Sequence, residues 1–153
     1  MYIGIDLGTS SVKVILIDKN QKILATSNSK LTTQSPKDGY SEQNPQDWIE
    51  ATFNCFQQIL DKKPKEFSNA ISIGISGHMH GATLVDKKGD VIRPCILWND
   101  TRSYQECFEF EKQSFDVRAI SGNIAMPGFT APKINWIKNN ELENFKRISK
   151  VLL

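Results

Sequence analysis

The first candidate site in the sequence is a short polar segment near the N-terminus, consisting of Asp6, Gly8, Thr9, Ser10, Ser11 and Lys13. A glycine allows a bound group to lie close to the backbone, and the hydroxyl and N–H groups after it can donate to phosphate oxygens. Lys13 can add positive charge to the same phosphates, and Asp6 can hold Mg²⁺, mostly through water. The segment therefore predicts a phosphate-binding turn, although Gly, Thr and Ser are also ordinary hairpin residues.

The elements around this segment predict a β-hairpin. Residues 3–6 alternate between apolar and other side chains, and residues 12–17 form a β-branched run, so two strands flank the turn at residues 8–11. Turn residues at 18–21 and a third strand at 22–27 follow. The phosphate-binding turn would lie in the first hairpin of a three-stranded antiparallel unit.

Polar residues that could bind a sugar follow two later strands. Residues 70–76 alternate cleanly and end in Gly-His-Met-His-Gly at 77–81, and the predicted strand at 91–97 ends in Trp-Asn-Asp at 98–100. Ligands of α/β sheets bind at strand ends, where these side chains could bond hydroxyl groups and the tryptophan ring could stack on a sugar. The candidate sugar-binding residues are Met79, His80, Asn99 and Asp100.

Other interpretations of these residues stay open. His78 and His80 could bind a metal, but no third ligand of suitable type and spacing lies nearby. The histidines could instead belong to a structural turn, and residues 98–100 to an Asx-type entry into a helix. Residues 126–130 could line the same pocket or only lead into the helix that follows.

The remaining pattern predicts one mixed α/β domain. A helix begins at Asn44-Pro45 and stops before Pro64, and strands at 82–85 and 91–97 are joined by a turn. Ser103, in a capping box with Glu106, and Thr130 open further helices. The residues predicted to form the core are Ile49, Phe53, Phe56, Leu60, Trp136 and Ile137. Residues 148–153 begin like a strand that has nothing to pair with, so we expect a larger protein.

Composition excludes several functional classes. The 153 residues contain 19 Lys and Arg against 17 Asp and Glu, a net charge of +2 that is scattered along the chain, so we expect no nucleic-acid partner. No apolar run approaches the roughly 20 residues that a membrane span needs, and no export signal is visible. Three cysteines without CxxC spacing fit a cytoplasmic protein that keeps its thiols reduced.

The segment from Asp6 to Lys13 resembles the first phosphate-binding hairpin of the actin, Hsp70 and sugar-kinase superfamily. Further motifs follow in the expected order, at residues 40–48, 77–81, 96–102, 122–123 and 126–133. Together they resemble the FGGY carbohydrate kinases. The resemblance implies an RNase-H-like α/β fold with a mixed sheet, and transfer of the γ-phosphoryl of ATP, with Mg²⁺, to the 5-hydroxyl of D-xylulose. FGGY kinases are much longer, so residues 1–153 would be part of the N-terminal domain and inactive alone.

The resemblance also implies roles for individual residues. Asp6 would position Mg²⁺, the turn from Gly8 to Lys13 would hold phosphate oxygens, and Met79 and His80 would contact the sugar. In the members of this family that the motifs resemble most closely, Gln is common where His78 stands, which leaves the role of that side chain open. A kinase for another ketose or polyol and a non-catalytic sugar-binding or assembly module are the alternatives, and a homodimer is a candidate assembly.

Overall fold

The structure is a computed structural model that describes residues 1–112 and 117–153. Its strands are β1 (Tyr2–Leu7), β2 (Ser11–Ile17), β3 (Ile23–Lys30), β4 (Glu42–Gln43), β5 (Ser72–Gly77), β6 (Thr83–Val85), β7 (Cys95–Ile96) and β8 (Lys150–Leu152). Its helices are α1 (Pro45–Lys62), α2 (Pro64–Ser68), α3 (Tyr104–Glu111), α4 (Val117–Ser121), α5 (Thr130–Asn140) and α6 (Leu142–Arg147). Among these described helices, none combines the length and the hydrophobicity that crossing a membrane requires.

These elements form two compact units. The first unit is built from residues 1–33 and 46–78, and the second from residues 34–45 and 79–153. The first contains a mixed sheet in the order β3-β2-β1-β5. β2 pairs antiparallel with both β1 and β3, whereas β5 pairs parallel with β1. The predicted antiparallel unit and mixed sheet are confirmed, and α1 lies in the long connection that a parallel partner strand requires.

The core of the first unit lies between one face of this sheet and α1. Val12, Val14 and Leu16 of β2 are fully buried, because every second side chain of a strand points to the same face. They belong to one cluster with Cys55 and Ile59 of α1. Ile15 points to the opposite face and is 36% exposed, so the β-branched run predicted at residues 12–17 has one buried face.

The predicted buried face of α1 is wrong, although the helix begins and ends where expected. Ile49 and Phe53 are 53% and 64% exposed. The predicted core stripe consists of Ile49, Phe53, Phe56 and Leu60, and the last two are half-buried. The side chains that are buried in the core are instead Ala51, Cys55 and Ile59. Both stripes recur at helical spacing, and the smaller side chains allow α1 to lie close to the sheet.

The second unit has its own core, contributed by β6, β7 and α5. Its buried apolar side chains are Ala82, Leu84, Ile96 and Ile137. Ile137 is buried as predicted, and Trp136 is half-buried against the same cluster. Two short antiparallel pairs, β4 with β7 and β6 with β8, complete the unit.

The predicted strand at 91–97 is only partly formed. The turn before it is present, with Gly89 at a φ of 89°. The predicted pairing with residues 82–85 is present at both ends, because Val91 bridges to Val85 and Ile96 bridges to Ala82. The N–H of Ile92 also donates to the carbonyl of Leu84 at 2.9 Å, and a regular ladder forms only in β7, against β4. Pro94 has no N–H to donate to a strand ladder, which explains the break.

The start of α3 and the C-terminal strand also differ from expectation. Ser103 precedes α3, but its hydroxyl donates to the carbonyl of Pro127 at 3.1 Å and caps no helical N–H, so the predicted capping box with Glu106 is not formed. The apolar C-terminal run does have a partner, because β8 pairs with β6 and Val151 lies opposite Leu84.

Candidate functional site

The predicted phosphate-binding segment forms the connection between β1 and β2 in the first unit. The N–H of Gly8 donates to the carbonyl of Ser11 at 3.0 Å, which closes the turn. A Cβ on residue 8 would lie 3.1 Å from that oxygen, so the close approach favours glycine. Thr9 is half-buried, whereas Ser10 is exposed. The Ser10 carbonyl accepts from the N–H of Leu31 at 2.9 Å, which fixes the backbone of the turn.

Asp6 and Lys13 lie directly opposite one another across β1 and β2, so their side chains share one face of the sheet. Asp6 also lies opposite Ser76 of β5, whose hydroxyl donates to Oδ1 of Asp6 at 3.3 Å. Within residues 1–112 and 117–153, the ammonium of Lys13 has no hydrogen-bond or ion-pair partner. One carboxylate, one hydroxyl and one available cation therefore lie together.

These three side chains line an open cavity of about 520 Å³ in the first unit. The apolar part of its lining is Gly4, Ile5, Ile15, Gly74 and Ile75. No three His, Cys, Asp or Glu side chains of the described residues converge on a common point. A cation here would take most of its ligands from water or from a bound phosphate, which is how Mg²⁺ commonly binds. The single carboxylate of Asp6 fits that requirement.

Sequence reasoning missed Ser76. Ser76 lies near the end of β5, in parallel register with Asp6. That register could not be predicted, because it depends on the pairing of strands that are far apart in the chain.

His78 follows β5 directly. Its N–H donates to the carbonyl of Leu7 at 3.0 Å, and its ring lies 5.2 Å from that of Trp48.

A cavity of about 330 Å³ lies in the second unit, next to most of the predicted sugar-binding residues. Three of the four line it, namely His80, Asn99 and Asp100. Met79 does not line it and is 59% exposed. The remaining walls are Trp98, Thr101 and residues 126–129, which the sequence offered as an alternative lining.

The imidazole of His80 contacts an aromatic ring and has no hydrogen-bond partner among the described residues. Its ring lies 4.8 Å from that of Phe129, and neither ring nitrogen is hydrogen-bonded to any residue in the described part of the chain. Its backbone has a φ of 63°, in the left-handed region that non-glycine residues rarely adopt. Its carbonyl accepts from Nζ of Lys133 at 2.6 Å. The side chain is therefore available to bond a hydroxyl group, while the main chain is held.

Asn99 and Asp100 differ in their surroundings. Asn99 is exposed. Asp100 is 1% exposed, and its Oδ2 accepts from the N–H of Ser41 at 2.6 Å. Arg102 donates from Nε to Oδ1 at 3.0 Å and from an Nη to Oδ2 at 2.8 Å. Both oxygens of Asp100 therefore already accept hydrogen bonds within the protein.

Arg102 completes a buried charged cluster behind this wall. Its guanidinium also pairs with Glu42 at 2.6 Å and lies 3.7 Å from the ring centroid of Tyr40. Arg93 bonds the same Glu42 carboxylate and pairs with Glu141 at 3.0 Å. A buried guanidinium needs such partners to offset the loss of hydration. The cluster fixes the loop that carries Asn99, and sequence reasoning assigned Arg102 no role.

The fold is that of a carbohydrate kinase domain. The N-terminal domain of the FGGY family of carbohydrate kinases matches residues 1–153, and the chain belongs to this family. The predicted family and sugar-kinase fold are confirmed.

Particular relatives are closely similar. The chain is 47% identical over 153 residues to the xylulose kinase of Escherichia coli K12, covering all of this chain and 31% of that protein. A crystal structure described as a xyloylose kinase from Brucella ovis is 51% identical, with a TM-score of 0.94 over 99% of this chain and 32% of that one. The xylulose kinase of Rhodospirillum rubrum is 26% identical, with a TM-score of 0.92 over 97% of this chain and 31% of that one. The chain thus spans about a third of the length of these relatives.

Proposed function

We propose that this chain is the sugar-binding N-terminal part of a kinase that transfers the γ-phosphoryl of ATP to the 5-hydroxyl of D-xylulose. The observation that carries the proposal is the convergence of His80 and Asn99 on one cavity. The relatives named xylulose kinase support D-xylulose as the substrate, because the similarity to the E. coli protein extends over the whole chain.

The phosphate side of the proposed reaction lies in the first unit. Membership of a carbohydrate kinase family implies ATP as the phosphate donor. The turn from Gly8 to Ser11 and the ammonium of Lys13 hold phosphate oxygens, and Asp6 holds Mg²⁺, largely through water. When bound, Mg²⁺ supplies neutralisation of the charge on the transferring phosphoryl group.

The sugar side lies in the second unit. The imidazole of His80 can donate to one hydroxyl or accept from it, and the Asn99 amide can do both. The ring of Trp98, which is 46% exposed, offers a face for the carbon skeleton. Met79 lies outside the lining of this cavity, and its contact with the sugar stays a prediction from the family resemblance. Asp100 contributes to the sugar site from the same loop. These residues orient the substrate, and the general base is supplied from outside residues 1–153.

We further propose that the protein works in the cytoplasm. The three cysteines are buried and unpaired, which fits a compartment that keeps thiols reduced. A homodimer stays a prediction, without a surface assigned to it.

The substrate is tested with the full-length protein and a panel of D-xylulose, L-ribulose, glycerol and gluconate, by following ADP release. We expect the highest kcat/KM for D-xylulose. Preference for another member of the panel would assign a related kinase, and sugar binding without turnover would favour a non-catalytic module.

The cavity is tested with Asn99→Ala. Loss of one hydrogen bond to the sugar should raise the KM for D-xylulose about tenfold, with the KM for ATP unchanged. Asn20→Ala, an exposed turn residue of the first unit, is the matched control. An unchanged KM for D-xylulose in Asn99→Ala would exclude Asn99 from the sugar site.

A further inference from the structure

Lys133 is the largest fully buried side chain of the described residues. Its Nζ donates to the carbonyl of His80 at 2.6 Å and to the carbonyl of Gly128 at 2.7 Å. No described carboxylate is bonded to it. Burial of an ammonium group is costly unless the group is paired or hydrogen-bonded, so its position between two carbonyls requires an explanation.

The two carbonyls belong to different walls of the 330 Å³ cavity. His80 and Gly128 both line that cavity, whereas Lys133 does not. Lys133 lies on α5, one turn after the helix begins, and therefore approaches both walls from behind. The ammonium group acts on the cavity only through these two main-chain oxygens.

The loop that carries Trp98 and Asn99 forms a third wall of the cavity and lies against Gly128. A Cβ on residue 128 would lie 2.6 Å from the carbonyl oxygen of Trp98, closer than real Cβ contacts come. The turn at residues 126–129 is thus pressed against the loop that carries Trp98 and Asn99. Any shift of Gly128 moves the turn relative to this loop.

The backbone conformation of His80 requires contacts that hold it in place. A non-glycine residue in the left-handed region is strained and persists only where the surroundings hold it. The carbonyl of His80, with its φ of 63°, is the group that Lys133 bonds. Without the ammonium group, this peptide would be free to relax and carry the imidazole with it.

We propose that Lys133 is a positioning residue for sugar binding: by bonding the carbonyls of His80 and Gly128 it fixes the spacing of the two walls and so places the His80 imidazole for a sugar hydroxyl. This inference rests on the proposed function, because it concerns the same cavity. It adds a residue that contacts no substrate and yet sets the affinity for the sugar.

Lys133→Met in the full-length protein tests the proposal, since methionine is of similar length and has no donor. We expect the KM for D-xylulose to rise about tenfold or more, with the KM for ATP within about twofold of the parent. Lys138→Met is the matched control, because Lys138 is an exposed lysine of the same helix. A merely structural lysine would lower the thermal midpoint and the active fraction and leave the KM for the sugar unchanged, which would overturn the proposal.

Gly128→Ala keeps the test decisive if Lys133→Met does not fold. This variant retains the lysine but forces residue 128 away from Trp98. We expect the same selective rise in the KM for the sugar, and an unchanged value would overturn the proposal.

Failure of the proposed function is recognised separately, from the wild-type panel. If another sugar is preferred, the substrate assignment fails, and the KM comparison is made with that sugar. If no sugar is turned over, calorimetric affinity for D-xylulose replaces the KM. Absence of wild-type binding would overturn both proposals, whereas equal binding by the wild type and Lys133→Met would overturn only the role of Lys133.

Discussion

The proposed phosphate chemistry of the first unit depends on Asp6, which among the described residues is the one carboxylate that lines the cavity of that unit. Asp6→Asn keeps the shape of the side chain and removes its charge. We expect kcat to fall about 100-fold or more, as for other losses of charge stabilisation in the transition state. The KM for D-xylulose should change little, because the sugar-cavity residues belong to the second unit.

Steady-state kinetics on the full-length protein check this prediction. Asp61→Asn is the matched control, since Asp61 is exposed on α1 of the same unit and bonds only Gln57 among the described residues. A kcat equal to that of the parent in Asp6→Asn would remove Asp6 from the phosphate site.

The burial of Lys133 should also make the free energy of unfolding depend on pH. Burial lowers the pKa of Lys133 to about 8, whereas an unfolded chain keeps the ordinary value of about 10.4. Between these values the unfolded chain binds more protons than the folded one, so the free energy of unfolding should rise with pH from about 8 to 10. Lys133→Met should lack this rise in urea unfolding at pH 7, 8.5 and 10.

The control for this pH experiment must take account of the other titratable and charged groups next to Lys133. Cys95, Asp100 and Arg102 interact electrostatically with its ammonium group. Burial raises the pKa of the Cys95 thiol, so this thiol lowers stability as pH rises and opposes the effect of the lysine. The comparison is therefore made in a Cys95→Ala background. A pH slope that is the same with and without Lys133 would contradict the prediction.

Much of the candidate site could be predicted from residue types, and the remainder depends on distant pairings. His80, Asn99 and Asp100 were predicted from their polar side chains and their positions after strands, and they line one cavity. The bond from Ser41 to Asp100 joins positions 59 residues apart. The bond from Lys133 to His80 joins positions 53 apart. No local pattern encodes such contacts.

At the scale of elements, α1 carries two apolar stripes, of which only one is buried. Ile59 is fully buried, whereas Ile49 is 53% exposed. Ile59→Ala should lower the free energy of unfolding by about 2–5 kcal/mol because it leaves a cavity. Ile49→Ala should change it by less than about 0.5 kcal/mol, as for a surface site.

Urea unfolding of the two variants makes a direct comparison, because both remove the same atoms from the same helix. A larger loss for Ile49→Ala than for Ile59→Ala would contradict the packing described for α1.

Local elements were predicted better than distant pairings. The first hairpin and α1 have their signals within a few residues, in alternation and in the prolines at the ends of the helix. β4 contains two residues and forms only by pairing with β7, so no period can be read from it. Pro94 did carry a local signal against a continuous strand, because it lacks a ladder donor.

At the scale of the whole protein, the chain spans 31% of the E. coli relative. Phosphoryl transfer depends on positioning and on charge neutralisation around both substrates. Residues 1–153 alone should therefore show no measurable phosphorylation of D-xylulose, as followed by ADP release, while the full-length protein is active in the same assay. Robust turnover by the isolated residues would show that they contain a complete active site.

β5 has a practical consequence for handling the protein. Parallel strands are normally covered on both faces, yet Ile73 and Ile75 of β5 are 52% and 76% exposed, and Ile71 just before it is 76% exposed. β5 is also the last strand of the sheet β3-β2-β1-β5. An uncovered apolar edge strand is a template on which other chains can add strands. Preparations of residues 1–153 alone should consequently aggregate as they are concentrated, and Ile71→Lys, which places a charge at this edge, should raise their solubility.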